Sequence, residues 1–338
     1  MPLALRSVTI VPADRSGCGY YRLMQWAHLL QIQNEDVSIM PPGKWRAVPN
    51  SAVVWTQRIT TEDLFQKLIA FKQATKQKFI VDYDDMVWTS PIDGTGLPDF
   101  NICREKINAE QNLIDMKKYL NILADVVTVS TERIKENLKG IVPEEKIVVL
   151  PNMLSYKDWF FPFSQPPKEN IFYFAGSHSH FDNVNKKQGD FSTSLIQYLS
   201  GQTVMNKALT PYFLRPVKTF PGCSMALYPP QFYQETRNVR FIIAPLADVE
   251  FNRNKSDLKY LESAAVGRVC LVNDFPGSPY AGAHPYQKIP CNATPQTIKF
   301  IVDRANEHYN DILKYQWEYL NKRWANNHLA EITALLSR

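Results

Sequence analysis

Apolar residues recur at two different spacings along the first half of the chain. Short, nearly continuous apolar runs at residues 5–11, 52–55 and 78–82 have the length and composition of buried strands. Between them, residues 20–33 and 61–75 repeat their apolar positions every three or four residues, as the buried face of a helix does. Strands that alternate with helices in this way predict a parallel sheet with helical crossovers.

The same alternation continues to the end of the first domain. The predicted elements are helices at 108–123 and 131–140 and strands at 126–129 and 147–150. Ser130 stands where a helix N-cap is expected, and Gly140 stands where a helix ends. A stretch rich in proline and aromatic residues follows without any period, which is typical of a packed linker. We therefore predict a first domain at 1–155 and a linker at 156–168, with a second domain after it.

The second half of the chain gives a weaker pattern of the same kind. Residues 171–174 and 239–244 read as strands, and helical patterns run from 295 to 308 and from 309 to the end. Residues 202–236 show no readable period. A second α/β domain is therefore expected here.

Composition narrows the class of protein. A length of 338 residues, of which 45% are hydrophobic, suits two domains with a core each. No apolar run approaches the ~18 residues that cross a membrane, and the first residues lead straight into a strand rather than a cleavable signal, so a cytoplasmic protein is expected. The five cysteines are scattered without a CxxC pair, which indicates neither a disulfide framework nor a zinc site. The net charge of +5 permits a polyanionic partner but is far below that of a dedicated DNA-binding domain.

The candidate chemistry is concentrated at residues 251–272. Leu258 and Leu261 have helical spacing, and Gly267 separates this helix from a strand-like run at 269–272. The pattern predicts a helix that leads into a buried strand.

Two cations, Arg253 and Lys255, stand at the predicted start of that helix. Asn254 and Ser256 beside them are good N-cap residues. A cation at a helix start is unfavourable by roughly 0.3–1 kcal/mol. A bound phosphate or diphosphate would make the two cations favourable there, because the anion is attracted by them and by the free N–H groups. Glu262, two helical turns after Lys255, could accept hydrogen bonds from sugar hydroxyls. The alternative is a surface helix with ordinary charges.

This segment resembles the donor site of GT-B glycosyltransferases, particularly the retaining group related to glycogen synthase and bacterial glycan-building enzymes. The resemblance rests on the Pro245-Leu246 pair and on the run ESAAVG from Glu262 to Gly267, which precedes a hydrophobic strand. It implies an α/β fold with two Rossmann-like domains whose parallel sheets face each other across a cleft. It also implies transfer with retention of configuration and no cofactor or bound metal.

The resemblance further implies roles for single residues. Glu262 would hold the ribose of a nucleotide-sugar, and Arg253 and Lys255 would compensate its diphosphate. Many members carry a glutamate where this chain has Asn254, which leaves the transferred sugar open. The same departure permits the alternative of a nucleotide- or sugar-binding protein of this fold without turnover.

The resemblance also assigns the domains. Residues 1–155 would bind the acceptor, residues 169–308 would bind the nucleotide-sugar, and a helix at 309–338 would pack back on the first domain. Two classes of acceptor are possible: a glycan or its lipid-linked precursor, and a hydroxymethylated base in phage DNA. The second choice would place the enzyme in a phage-infected host cell.

A glycine-containing loop follows the first predicted strand. Gly17 and Gly19 would let backbone N–H groups approach a ligand closely, and Arg22 is a cation in the first turn of the next helix. The resemblance implies that these residues lie near the donor sugar or the acceptor, although such glycines also serve purely steric needs. A GxGxxG motif is absent, which disfavours a nicotinamide oxidoreductase.

Three carboxylates, Asp82, Asp84 and Asp85, stand at the end of the strand predicted at 78–82, where open α/β sheets bind ligands. They could hold a divalent metal, or one of them could act as a catalytic base whose pKa its neighbours raise. A solvated loop with a helix cap is the remaining interpretation. A similar acidic patch is frequent in the resembled family, and Asp84 and Asp85 are our candidates for acceptor activation.

The first strand of the second domain leads into a loop with Gly176, Ser177 and an HxHxD run. His178, His180 and Asp182 form one cluster without a distant partner, so capping or indirect roles are favoured over a metal site. The resemblance implies that Gly176, Ser177 and His180 contact the donor.

Overall fold

The computed structural model describes residues 7–14, 17–33, 36–40, 51–59, 62–88, 109–174, 190–205 and 229–337. The chain divides into two compact units. The first unit is built from the chain up to Ser155, together with Asn254–Ser256 and the chain from Ala325 onward. The second unit contains Tyr156–Arg253 and Asp257–Trp324.

A parallel sheet forms the centre of the first unit. Its strands within the described ranges are β1 (Val8–Val11), β2 (Val37–Ile39), β3 (Val53–Gln57), β4 (Lys78–Tyr83), β5 (Val126–Val129) and β6 (Ile147–Val149), in the order β2-β1-β3-β4-β5-β6. Each neighbouring pair is parallel. The α-helices of this unit are α1 (Gly17–Gly19), α2 (Gln25–Ile32), α3 (Glu62–Thr75), α4 (Ala109–Leu123), α5 (Glu132–Leu138) and, from the end of the chain, α13 (Leu329–Ser337). Residues Tyr20–Met24 join α1 to α2 as a turn of π-helix.

Helices cover this sheet and bury its central strands completely. β1, β3 and β5 are buried along their whole length, which explains why they read as continuous apolar runs. Trp26 of α2, Trp55 of β3 and Ile332 of α13 share one hydrophobic core. The last helix therefore completes the core of the first unit.

The second unit is organised around another parallel sheet. Its strands in the described part of the chain are β7 (Ile171–Phe174), β8 (Thr203–Met205), β9 (Phe241–Ala244), β10 (Val269–Asp274) and β11 (Lys288–Pro290), in the order β11-β10-β9-β7-β8. Its α-helices are α6 (Tyr156–Trp159), α7 (Thr193–Leu199), α8 (Pro229–Thr236), α9 (Glu250–Arg253), α10 (Leu258–Ala265), α11 (Pro295–Glu307) and α12 (Tyr309–Asn321). The predicted α/β class with parallel sheets is confirmed in both units.

The helical pattern predicted from residue 309 to the end is interrupted. α12 ends at Asn321, and a short 3-10 turn, Ala325–His328, precedes α13. Ala325 N donates to the backbone oxygen of Leu154 at 2.8 Å, which anchors the turn in the first unit. The break separates the two helices, so α12 belongs to the second unit and α13 to the first.

The N-cap predicted for α5 also needs correction. Thr131 Oγ1 accepts the N–H of Ile134 at 3.2 Å and is the cap. The hydroxyl of Ser130 instead donates to the backbone oxygen of Asp84 at 2.8 Å. Ser130 thus ties the start of α5 to the turn after β4.

No helix in the described ranges combines the length and the apolar character needed to cross a membrane.

Candidate functional site

The carboxyl ends of the strands in the first unit meet at one edge of the sheet, here called the carboxyl edge. β1 and β3 are neighbours, and the chain leaves them in opposite directions, from β1 to β2 and from β3 to β4. A reversal of strand order of this kind is where open α/β sheets bind ligands. The polar residues that follow β1, β3 and β4 therefore form the candidate site of this unit.

Arg22 and Asp82 form a buried ion pair at this edge. Arg22 Nε and Nη2 donate to the two carboxylate oxygens of Asp82 at 3.1 and 2.7 Å, and the two side chains are 1% and 0% exposed. Thr128 Oγ1 donates to the same carboxylate at 2.6 Å. Arg22 Nη1 donates to Asn152 Oδ1 at 3.0 Å and to the backbone oxygen of Leu150. Through these bonds Arg22 links the loop after β6 to β4. Its charge is used within the protein and is not available to a ligand.

Arg58, directly after β3, makes the second ion pair of the carboxyl edge. Its Nε and Nη2 donate to the carboxylate of Asp84 at 2.6 and 2.9 Å, and Gln57 Nε2 donates to it at 3.3 Å. Burial raises the pKa of Asp84, but the nearby Arg58 guanidinium outweighs burial and the pKa is lowered to about 2. Asp84 is therefore a carboxylate held in its ionised form, which is a weak proton acceptor near neutral pH.

Arg58 itself has an unusual backbone conformation. Its φ of +50° lies in the left-handed region, which costs a residue with a Cβ atom about 1–2 kcal/mol. Its Nη2 also donates to Cys18 Sγ at 3.0 Å. Burial and the neighbouring Asp84 raise the pKa of the Cys18 thiol well above its usual value, so the sulfur stays protonated. Arg58 is not among the predicted site residues, because one arginine after a strand forms no motif; its position at the carboxyl end of a strand is the signal that could have identified it.

The structure brings together Asp85 and Lys255, both of which the sequence predicts as catalytic. Lys255 Nζ lies 3.3 Å from Asp85 Oδ2, and Arg58 Nη2 lies 3.9 Å from the same oxygen. The side chains of Asp85 and Lys255 are each 22% exposed. Asp85 Oδ1 is buried and has no hydrogen-bond partner among the described residues. Asp85 thus differs from Asp84 in keeping one oxygen that no protein donor uses.

The residues on either side of Lys255 are hydrogen-bonded to other residues of the first unit. Asn254 Oδ1 accepts from Asn137 Nδ2 at 2.7 Å, and Ser256 Oγ accepts from Asn152 Nδ2 at 2.7 Å. These contacts place all three residues of Asn254–Ser256 in the first unit.

The prediction that Asn254 and Ser256 cap a helix is corrected by these contacts. α10 begins at Leu258, and its N-cap is Asp257. Lys255 lies before this helix, so the argument from a shared helical face, which linked it to Glu262, does not apply.

The two glycines after β1 have different surroundings. A Cβ atom at Gly19 would lie 2.0 Å from the backbone oxygen of Asp14, so a steric need explains this glycine. Gly19 N donates to the Asp14 carboxylate at 3.1 Å. Gly17 has a φ of +50° and open space where a Cβ would stand.

Arg253 belongs to the second unit, where acidic neighbours bind it. Nε and Nη2 donate to Asp248 Oδ1 at 3.0 and 2.6 Å, and Nη1 lies 3.4 Å from Glu250 Oε2. Its side chain is 31% exposed. The two cations predicted to compensate one diphosphate thus have separate partners, Asp248 for Arg253 and Asp85 for Lys255.

A carboxylate that the sequence analysis missed fixes the loop after β9. Asp190 Oδ1 accepts from Ala247 N at 2.9 Å and from Asn252 Nδ2 at 2.6 Å. Asn252 is buried, and its amide also donates to the backbone oxygen of Ala247 at 3.0 Å. Strand order in this sheet reverses between β7 and β9, so Asp190 holds the loop at the ligand-binding edge of the second unit.

Glu262 lies on α10 and is 8% exposed. Tyr280, in the loop after β10, is 3% exposed in the same unit. Burial raises the pKa of Tyr280 well above its usual value, and Cys270, Asp257, Asp190 and Glu262 raise it further. Tyr280 therefore stays protonated and can donate a hydrogen bond.

No group of three or more acids, histidines or cysteines within the described ranges is arranged to hold a metal ion. Asp82 and Asp84 are each paired with an arginine. These two carboxylates therefore do not support the prediction that the acidic run holds a divalent metal. Gly176, Ser177 and His180 lie outside the described residues.

Comparison with known proteins gives no match by sequence, since neither a family model nor a curated protein matches the chain. Solved structures do match. A glycosyltransferase from Rickettsia africae ESF-5 superposes with a TM-score of 0.63 at 13% identity, over 98% of each chain. HepE of Anabaena, solved in complex with UDP-glucose, superposes with a TM-score of 0.61 at 7% identity, over 98% of each chain.

A third structure comes from an enzyme that modifies DNA. This β-glucosyltransferase, solved with and without its substrate uridine diphosphoglucose, superposes with a TM-score of 0.57 at 11% identity, over 97% of this chain and 98% of that one. At such low identities the likeness establishes the fold, and the chain has the GT-B fold of these glycosyltransferases.

Proposed function

We propose that the chain is a glycosyltransferase that moves a sugar from a nucleotide-sugar donor to an acceptor hydroxyl. The observation that carries the proposal is the likeness of at least 97% of the chain to three glycosyltransferases of the same fold. Two of those structures concern UDP-glucose, so a uridine nucleotide-sugar is the donor class that we propose.

We assign the donor to the second unit, at the edge where strand order reverses between β7 and β9. Glu262 is the proposed ribose ligand, as in the resembled family. Asp190 supports this assignment indirectly, because it fixes the loop after β9. The buried, protonated Tyr280 would supply a neutral hydrogen-bond donor in the same unit.

We assign acceptor activation to Asp85 rather than Asp84. Arg58 and Gln57 occupy Asp84, and its lowered pKa makes it a poor base. Asp85 is 22% exposed and has no bidentate partner in the described ranges, so it is the better candidate to accept a proton or hydrogen bond from an acceptor hydroxyl. Lys255, at 3.3 Å, would hold Asp85 in place before substrate binds.

The acceptor hydroxyl that we propose belongs to a glycan or to a hydroxymethylated base in phage DNA. The second class is favoured by the fold likeness to an enzyme that modifies DNA, and the net charge of +5 permits it. A DNA acceptor predicts binding that weakens steeply with salt, whereas binding of an uncharged glycan changes little. Retention of configuration, which the resemblance implies, can be read from the anomeric configuration of the product.

The proposal is tested by measuring release of nucleoside diphosphate from UDP-glucose, UDP-galactose and UDP-N-acetylglucosamine, with glycans and with hydroxymethylated DNA as acceptors. We expect turnover with one donor, equal rates with and without EDTA, and a rate at least ~100-fold lower in Asp85→Asn. Glu318→Gln, which changes an exposed acid on α12, is the matched control and should keep the wild-type rate. A protein that binds a nucleotide-sugar but releases no product above background would instead be a binding protein of this fold.

A further inference from the structure

The guanidinium of Arg58 has a donor group that the protein does not use. Nε and Nη2 donate to Asp84 and Cys18, whereas Nη1 has no hydrogen-bond partner in the described ranges. The side chain is 26% exposed. Asp84 and Cys18 therefore fix one edge of the Arg58 guanidinium, and Nη1 remains as a donor for a ligand.

The backbone of Arg58 supports a functional reason for this residue. Its φ of +50° would be adopted by glycine without strain, yet the chain carries an arginine there. Strained residues of this kind persist where the surrounding structure requires them, and they cluster at binding sites. The bidentate pair with Asp84 holds the guanidinium in one orientation.

The charges around Arg58 decide which ligand suits it. Among the described residues that follow β1, β3 and β4, together with Arg22 and Lys255, the charged groups are Asp14, Asp82, Asp84 and Asp85 against Arg22, Arg58 and Lys255. Four carboxylates and three cations leave a net charge of −1. Such an edge does not attract a phosphate, which carries negative charge itself.

A neutral polyol fits the same edge. Arg58 Nη2 lies 3.9 Å from Asp85 Oδ2, so an unused donor on Arg58 and an unused acceptor on Asp85 belong to neighbouring side chains. A hydroxyl group both donates and accepts, so a sugar hydroxyl can accept from Arg58 Nη1 and donate to the partly exposed carboxylate of Asp85.

We propose that Arg58 is a substrate-binding residue that donates from Nη1 to a sugar hydroxyl beside Asp85. The hydroxyl belongs either to the transferred sugar or to the acceptor, and the experiment below separates the two. The inference rests on the proposed function and deepens it, because it names the ligand group that the carboxyl edge of the first unit recognises.

Calorimetric titration of the intact chain with three probes tests the inference. The probes are UDP, UDP-glucose, and D-glucose added to protein saturated with UDP. Arg58→Lys keeps a positive charge beside Asp84 but removes Nη1. Arg58→Gly relieves the left-handed strain but removes the partner of the buried Asp84, so its melting curve is recorded beside each titration and the Arg58→Lys result decides if this variant is unfolded. Arg304→Lys, a change at an exposed arginine on α11, is the control.

We expect both Arg58 variants to bind UDP within twofold of wild type and to lose at least tenfold in affinity for one sugar probe. A loss for UDP-glucose, with or without a loss for D-glucose, identifies the transferred sugar, whereas a loss for D-glucose with unchanged affinity for UDP-glucose identifies a sugar site apart from the donor, as an acceptor would occupy. Unchanged affinity for all three probes would overturn the inference, as would an equal loss for UDP, which would indicate a phosphate site. A wild-type protein that binds none of the probes would refute the proposed donor, and that result is read before any variant is made.

Discussion

Three aspartates within four positions of one another differ in what surrounds them, and the surroundings set their roles. Asp82 is buried against Arg22, and Asp84 is held ionised by Arg58. Asp85 is partly exposed and keeps an unused oxygen. An acidic run that looks uniform in sequence therefore contains two structural carboxylates and one candidate catalytic group.

Of the ion pairs at the carboxyl edge, the buried Arg22–Asp82 pair should contribute most to the free energy of unfolding. Replacing Arg22 by Met leaves Asp82 buried without its counter-ion, and breaking such a pair costs about 3–5 kcal/mol. Urea unfolding followed by tryptophan fluorescence measures the loss. Lys67→Met removes the partner of Asp63 in a pair whose side chains are 70% and 73% exposed, and it should change the free energy of unfolding by less than ~1 kcal/mol. Equal losses in the two variants would show that the Arg22–Asp82 pair is not buried as described.

Asp84 should make the fold sensitive to acid. Its pKa in the folded state, about 2, is below the ordinary value, so the ionised form stabilises the fold above pH ~4 and this contribution is lost as the pH falls toward 2. The lowering corresponds to about 2 kcal/mol. Between pH 5 and pH 2, the free energy of unfolding of wild type should fall more steeply than that of Asp84→Asn. Parallel curves for the two proteins would contradict the assignment.

Sequence located these residues but did not pair them. Asp82, Asp84 and Asp85 were predicted at the carboxyl end of the sheet because the acidic run directly follows an apolar strand. That pattern lies within a few neighbouring positions of the chain. Their partners come from far along the chain: Arg22 is 60 positions from Asp82, and Lys255 is 170 positions from Asp85. Only the fold brings such residues together, which is why Lys255 was read as a helix-start cation and Arg58 was missed.

Helices and strands were predicted correctly where a periodic pattern extended over many consecutive residues. The helix, glycine and strand from Leu258 to Asp274 were predicted because amphipathic spacing, a left-handed Gly267 with φ of +67° and an apolar run follow one another directly. β2, β8 and β11 were missed, because each has three residues and shows no period. The break between α12 and α13 was missed because no proline or glycine marks it.

The end of α3 offers a test of local backbone strain. Lys76 directly follows Thr75, the last residue of α3, and has a left-handed φ of +59°. Glycine favours this position after a helix, so Lys76→Gly should raise the free energy of unfolding by about 0.5–1 kcal/mol. Lys67→Gly makes the same change inside α3 and should lower it by about 1 kcal/mol. Urea midpoints of the two variants should move in opposite directions, and a shared direction would refute the description of this helix end.

For the whole molecule, the alternating pattern of strands and helices was sufficient to predict two α/β units with parallel sheets. It was not sufficient to predict their composition. Asn254–Ser256 joins the first unit from within the second half of the chain, and α13 completes the first unit's core. Both are contacts between distant segments, which the local periods of the chain do not encode.

Thermal unfolding of the intact chain with a panel of nucleotides and nucleotide-sugars tests most directly the central claim that the chain binds a nucleotide-sugar. A ligand at 100 times its Kd stabilises the fold by about 2.7 kcal/mol. We predict that one nucleoside diphosphate and its sugar conjugate raise the Tm by a few degrees, with uridine nucleotides the first choice, and that nicotinamide dinucleotides leave the Tm unchanged. A Tm that no member of the panel changes would contradict the proposed function.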